Sequence, residues 1–94
     1  MPAYVSANVY ITDPAKLQAY LAELPATLAP FGGRLLCRGK VARVLYGEPR
    51  FELMATFEFA DVETAEEWYS SPAYQALIPN RNEAAAGSIV ILSP

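Results

Sequence analysis

An α+β fold with its elements in the order β-α-β-β-α-β is what this sequence predicts, and three observations predict it. Ala3, Val5, Ala7, Val9 and Ile11 alternate with Tyr4, Ser6, Asn8 and Tyr10, and Phe51, Leu53, Ala55, Phe57 and Phe59 alternate with Glu52, Met54, Thr56 and Glu58. This period of two marks strands with one apolar face. Asp13-Pro14 and Ser71-Pro72 are helix starts, in which a side-chain oxygen accepts from free backbone N–H groups and the proline sacrifices no hydrogen bond. A chain of 94 residues without repeats or low-complexity tracts then makes one small domain, residues 1–94.

The elements follow in order. The first strand covers Ala3 to Ile11. After Asp13-Pro14, Leu17, Leu21, Leu24, Leu28 and Phe31 recur every three or four residues as one apolar helical stripe. Pro25 lies inside that stripe, and an interior proline removes a ladder bond, so a kink or break is expected there. Gly32-Gly33 supplies the left-handed stop. A strand from Arg34 to about Tyr46 is expected to bend or bulge at Gly39, with a turn at Gly47-Glu48-Pro49. The next strand runs from Phe51 to Phe59. Asp61 caps a short helix that turns Val62, Ala65 and Trp68 or Tyr69 inward, and Ser71-Pro72 starts a second helical segment through about Ala86, which Gly87 stops. Ser88 to Ser93 closes as a strand whose run Ile89-Val90-Ile91-Leu92 does not alternate, so both its faces are expected to be covered.

That order is the ferredoxin-like arrangement, an antiparallel sheet with helices packed on one face. Alternation places Tyr4, Ser6, Asn8, Tyr10, Glu52, Met54, Thr56 and Glu58 on the opposite face, joined by Arg34, Leu36 and Arg38 up to the bend. Such a face is too apolar for bare water and too polar for a dry core. Hydrophobic residues make up 53% of the chain and charged residues 18%, against roughly 45–50% and 25% in ordinary domains, so there is surplus apolar surface to hide. A homodimer, closing a wet cavity or a mixed interface over the open face, is the expected solution.

The chain resembles the domain of unknown function 1330 family, within the dimeric α+β barrel superfamily, over nearly its whole length. The carriers are Pro2-Ala3-Tyr4-Val5-Ser6-Ala7, Thr12-Asp13-Pro14, Phe31-Gly32-Gly33-Arg34-Leu35-Leu36-Cys37-Arg38-Gly39, Glu58-Phe59, Ala65-Glu66-Glu67-Trp68-Tyr69, and Ser71-Pro72-Ala73-Tyr74-Gln75-Ala76-Leu77 with Arg81. It departs from the family pattern at Lys40, where a second glycine is usual, and at Leu53, where an arginine is usual and Arg50 is displaced. The family is similar in fold to cofactor-free monooxygenases, haem-degrading enzymes and muconolactone-type isomerases. The resemblance therefore implies a fold and a dimer but no reaction.

Composition removes several chemistries. There is no histidine, which excludes histidine-dependent triads, histidine-ligated haem and histidine-based zinc or iron sites; no metal or cofactor is expected. The single Cys37 has no base to activate it, forms no internal disulfide, and alternates with Leu35 as a small core residue. A net charge of −3 with scattered basic residues speaks against nucleic acid. No apolar run reaches the roughly 18 residues of a membrane span, and the start lacks a charged segment followed by a long apolar one. A soluble cytoplasmic protein is expected. Gly32-Gly33 follows a helix instead of opening one, so it cradles no phosphate. Glu63, Glu66 and Glu67 read as a solvated helix face.

The residues that can carry chemistry are Asn8, Arg38, Glu58 and Arg81. Arg81 falls near the inward stripe of the last helical segment, either as an anion site or as an ion pair with a carboxylate such as Glu58 or with a second subunit. Asn8, Arg38 and Glu58 are expected to share the open face, as a proton-abstraction constellation with Glu58 as base or as a satisfied polar network between subunits. Trp68, Tyr69 and Tyr74 either line an aromatic pocket or pack as core. Two functions follow. One is a homodimer that binds a small aromatic or carboxylic molecule in a cavity between sheet and helices; whether it is an enzyme stays open, and in a cofactor-free enzyme version Arg38 and Arg81 hold the anion while Glu58 moves a proton. The other is a noncatalytic dimeric module for ligand sensing or assembly.

Overall fold

Strand β1, Ala3–Ile11, lies at the centre of a four-stranded antiparallel sheet ordered β2-β3-β1-β4 in the computed structural model, which describes residues 1–48 and 51–94. Its neighbours are β3, Leu53–Phe59, with Val5 opposite Phe57 and Ala7 opposite Ala55, and β4, Ala85–Leu92, with Val5 opposite Ile91 and Ala7 opposite Ile89. The two alternating patterns thus meet in register: Ala3, Val5, Phe57 and Phe59 are buried beneath the helices. Their partners Asn8 and Met54 face each other on the other side. The turn expected at Gly47-Glu48-Pro49 and the displaced Arg50 fall partly outside the described residues.

Helix α1, Pro14–Leu28, begins as expected, with the Asp13 carboxylate accepting from the N–H groups of Ala15 at 3.1 Å and Lys16 at 3.2 Å. It runs unbroken through Pro25, which sits in the last turn where only one ladder bond is lost. Leu17, Leu24 and Leu28 are buried, and so are Tyr20 and Thr27, which fall on the same stripe. Gly32, at φ +66°, ends the following 3-10 turn in the left-handed region that glycine adopts without penalty.

The second strand departs most from expectation. β2 covers Arg34–Lys40 and stops well before Tyr46. Its irregularity lies between Leu35 and Cys37, not at Gly39. One extra residue reverses the faces of everything after it. Arg34 stays opposite Glu58, but Cys37 pairs with Thr56 and Arg38 with Ala55. Cys37 is consequently exposed and not a core residue, and Arg38 is turned to the helical side of the sheet.

Helix α2, Val62–Ser70, is capped by Asp61, whose carboxylate accepts from the Thr64 N–H at 2.7 Å. Ser71 caps α3, Pro72–Gln75, in the same way. The last helical segment is two pieces, α3 and α4, Ile78–Ala84, and it ends before Ala86. Gly87 is not its stop but lies in β4 opposite Val9, where an added Cβ would sit 2.0 Å from the Asn8 carbonyl oxygen. Trp68 and Tyr74 are core residues with ring centroids 4.5 Å apart. Trp68 also donates its indole N–H to Thr27 Oγ1 at 3.1 Å. Burying side chains of this size stabilises by roughly 1.5–3 kcal/mol each. β4 is covered only in part on its helical side, where Ile91 is 36% exposed, and Val90 and Leu92 are 43% and 50% exposed on the other. Among the described residues, no helix is long and apolar enough to cross a membrane.

Candidate functional site

Small residues at the centre of the sheet create a void. Ala7 and Ala55 are paired across β1 and β3, where larger side chains would fill the space below α1. The resulting cavity, about 50 Å³, has a floor of Ala7, Val9, Leu53, Ala55, Phe57 and Ile89 and a roof of Leu17, Tyr20, Leu21 and Leu24. Its wall is completed by the side chains of Arg38 from β2 and Arg81 from α4, and the surface it exposes is almost wholly apolar. Two open grooves adjoin it. One, about 390 Å³, shares Val9, Arg81, Ala85 and Ile89 with the cavity and adds Tyr69, Asn82 and Ser88. The other, about 290 Å³, shares Leu21, Leu24, Phe57 and Arg38. Arg38 comes from β2, one edge of the sheet, and Arg81 from α4, which leads directly into β4, the other edge.

Arg81 is held by a tyrosine cluster. Its Nη1 donates to Tyr69 Oη at 3.0 Å and to Tyr74 Oη at 3.1 Å, and its Nη2 to Asn82 Oδ1 at 3.3 Å. The guanidinium carbon lies 5.8 Å from the Tyr69 ring and 6.0 Å from the Tyr74 ring, within cation–π range. Burial opposes the charge, but the two hydroxyl acceptors outweigh it and hold the Arg81 pKa above its ordinary value. Tyr74 Oη also meets Tyr20 Oη at 2.9 Å. Burial first, and the Tyr74 hydroxyl second, push the Tyr20 phenol upward. No carboxylate among the described residues forms an ion pair with Arg81 or Arg38. The ion pair of Arg81 with Glu58 that its position suggested does not form.

The four expected site residues are divided by the sheet. Arg38 and Arg81 line the cavity on the helical side. Glu58 lies on the open face, where it accepts from Arg34 Nη2 at 2.6 Å, and Asn8 lies there too, donating to Ser6 Oγ at 3.3 Å. The bulge in β2 is the reason Arg38 does not share a face with Asn8 and Glu58. Trp68 and Tyr74 are core, whereas half-buried Tyr69 lines the larger groove. Sequence reasoning missed Tyr20; its place three residues after Leu17 on the buried stripe was the available signal. A further hollow, about 330 Å³ between α2 and β4, is lined by Val5, Ala65, Trp68, Tyr69, Ile89 and Ile91, with Glu66 as its only charge. It offers nothing to hold an anion.

The model of a family described as a domain of unknown function, DUF1330, matches residues 2–94. No curated protein matches the chain. Among solved structures, a protein of unknown function from Rhodopseudomonas palustris is 17% identical with a TM-score of 0.84, over 99% of this chain and 82% of its own. A dimeric ferredoxin-like protein of unknown function from Jannaschia sp. CCS1 is 12% identical with a TM-score of 0.76, over the full length of both chains. SnoaB, a cofactor-independent oxygenase from Streptomyces nogalater, is 11% identical with a TM-score of 0.68, over 99% of this chain and 91% of its own. At these identities the likeness is one of fold.

Proposed function

The chain belongs to the DUF1330 family, whose description assigns no activity, and we propose from its cavity residues that it binds a small organic anion with a flat apolar body beneath α1. The single observation that carries this reading is that Arg38 and Arg81, neither ion-paired among the described residues, line one otherwise apolar cavity. Arg38 is exposed and Arg81 is half-buried and held by neutral oxygens, so neither charge is neutralised by a carboxylate among the described residues and both can pair with an anion that arrives. A guanidinium suits a carboxylate or enolate because its donors form a planar fork. The adjoining grooves, about 390 and 290 Å³, supply room for the apolar body beyond the small cavity itself.

The cavity wall carries no carboxylate among the described residues, which favours binding over proton abstraction by Glu58. SnoaB is an oxygenase that needs no cofactor; an enzyme of that kind on this chain would have to draw on the tyrosines and arginines alone. Titration calorimetry with 2-naphthoate and with uncharged naphthalene tests the reading. The carboxylate is expected to bind more tightly, and Arg38→Met to remove about tenfold or more of its affinity, as for a lost charge-assisted hydrogen bond. Equal affinity of the two probes would contradict it.

A second copy covering the open face is the other part of the reading. Tyr10, Met54, Val90 and Leu92 are 42%, 46%, 43% and 50% exposed there, a cluster of large apolar groups that water tolerates poorly. The dimeric state of the Jannaschia protein supports the same arrangement. Sedimentation equilibrium is expected to give a dimer mass, and Val90→Lys to shift it toward monomer; a monomer at every concentration would refute the pairing.

A further inference from the structure

Two surface features away from the cavity complement each other, and we propose that the segment joining β2 to β3 docks in the hollow between α2 and β4 of a second copy of this chain. Residues 41–48 belong to no strand or helix, although the sequence reads as strand as far as Tyr46. Leu45 and Tyr46 are 92% and 99% exposed, and Val41 and Val44 are exposed beside them. Nearly whole apolar side chains therefore stand in water, and a cluster of that kind marks a contact surface. Lys40 and Arg43, also exposed, have no carboxylate partner among the described residues. Although no three are adjacent, five of the seven basic residues of the chain fall between Arg34 and Arg50, where Glu48 is the only acid.

The hollow is the counterpart. Val5, Trp68, Ile89 and Ile91 give it an apolar lining, and its volume of about 330 Å³ is ten times the roughly 30 Å³ of one water molecule, so side chains fit it. Glu66 stands at its rim, and Glu63 and Glu67 are exposed on the same helix. None of the three forms an ion pair among the described residues. An apolar tip flanked by cations thus matches an apolar hollow edged by carboxylates, and opposite charges select which surfaces meet. β4 beside the hollow is an edge strand of eight residues with neither charge nor proline, the kind of edge that proteins ordinarily cover. The occupant is a second copy because within one chain β1 separates the β2–β3 hairpin from β4, and the exposed segment stands clear of its own hollow. This contact lies on the helical side of β4, so it is independent of any pairing through the open face.

The test is disulfide trapping between copies, with Cys37→Ser throughout so that no native thiol competes. Protein carrying Leu45→Cys is mixed with protein carrying Ile91→Cys and, separately, with protein carrying Leu92→Cys, the next residue of β4 and on its opposite face. All three positions are exposed, so the substitutions leave the core in place. A disulfide forms only where the two Cα atoms come within about 7 Å, and trapping is expected to be about tenfold or more faster with Ile91→Cys than with Leu92→Cys. Equal rates in the two mixtures, or no crosslink in either, overturn the proposal. Glu66→Lys in the Ile91→Cys copy is expected to slow trapping several-fold, and Arg43→Glu in the Leu45→Cys copy to restore it; a rate indifferent to both contradicts the docking. Should the wild-type protein float with phosphatidylserine vesicles, Leu45→Asp protein fail to, and no trapping be seen, the segment meets a lipid surface instead and the proposal is wrong.

Discussion

Filling the void beneath α1 should raise stability and abolish binding in the same variant. Ala55 lines the cavity opposite Ala7 on the floor of the sheet, so Ala55→Val places two methyl groups into empty space. At about 24 cal/mol per Å³ of void, a cavity of about 50 Å³ corresponds to an upper gain of roughly 1 kcal/mol. Valine also suits a strand better than alanine, which adds in the same direction. For a domain of this size, about 1 kcal/mol moves the melting temperature by roughly 4–8 °C. Differential scanning calorimetry reads the melting temperature, and titration with 2-naphthoate reads the binding. A melting temperature that rises while binding is lost is expected, the trade of function for stability found at built cavities. A variant destabilised by more than about 1 kcal/mol would show that the space is already packed. One that binds as well as wild type would show that the ligand lies elsewhere.

Three other outcomes follow from the same geometry. Unfolded Tyr20 releases its proton near pH 10 whereas the folded residue keeps it, so its contribution to stability is complete below pH 10 and declines as pH rises above it, by up to about 1.4 kcal/mol per pH unit; urea melts between pH 9 and 11 should show Tyr20→Phe with a shallower decline than wild type. Gly87→Ala sets a Cβ 2.0 Å from the Asn8 carbonyl oxygen and should cost more than about 2 kcal/mol in chemical denaturation; a loss within about 0.5 kcal/mol would mean the β1–β4 pairing is wrong there. Glu58→Gln breaks a half-exposed ion pair with Arg34 on the face away from the cavity, so 2-naphthoate affinity should stay within about twofold, and a larger loss would return Glu58 to the site.

Much of the fold was legible because its signals are local. The alternation of β1 and β3 and the caps at Asp13, Asp61 and Ser71 each depend on a few adjacent residues, and each appears where the sequence places it. The site was less legible because it turns on one extra residue. Nothing in Leu35-Leu36-Cys37 announces a bulge, since a bulge of that kind needs no glycine, yet it moves Arg38 to the opposite face and parts it from Asn8 and Glu58. Gly39 drew attention as the permissive residue, but the strand passes through it regularly. The tyrosine cluster was hidden for another reason. Tyr20, Tyr69, Tyr74 and Arg81 come from four separate helices, and only their packing brings the hydroxyls within hydrogen-bonding distance. Arg81 itself was found from its helical spacing, though its partners were not.

Which face of the sheet receives the anion is decided most directly by methyl NMR of the wild-type protein with 2-naphthoate. Intermolecular contacts from the naphthalene protons to the methyl groups of Ala7, Ala55, Leu21 and Leu24, which line the cavity, are the expected result. Contacts confined to Met54, Val90 and Leu92, exposed on the open face, would contradict a binding site beneath α1.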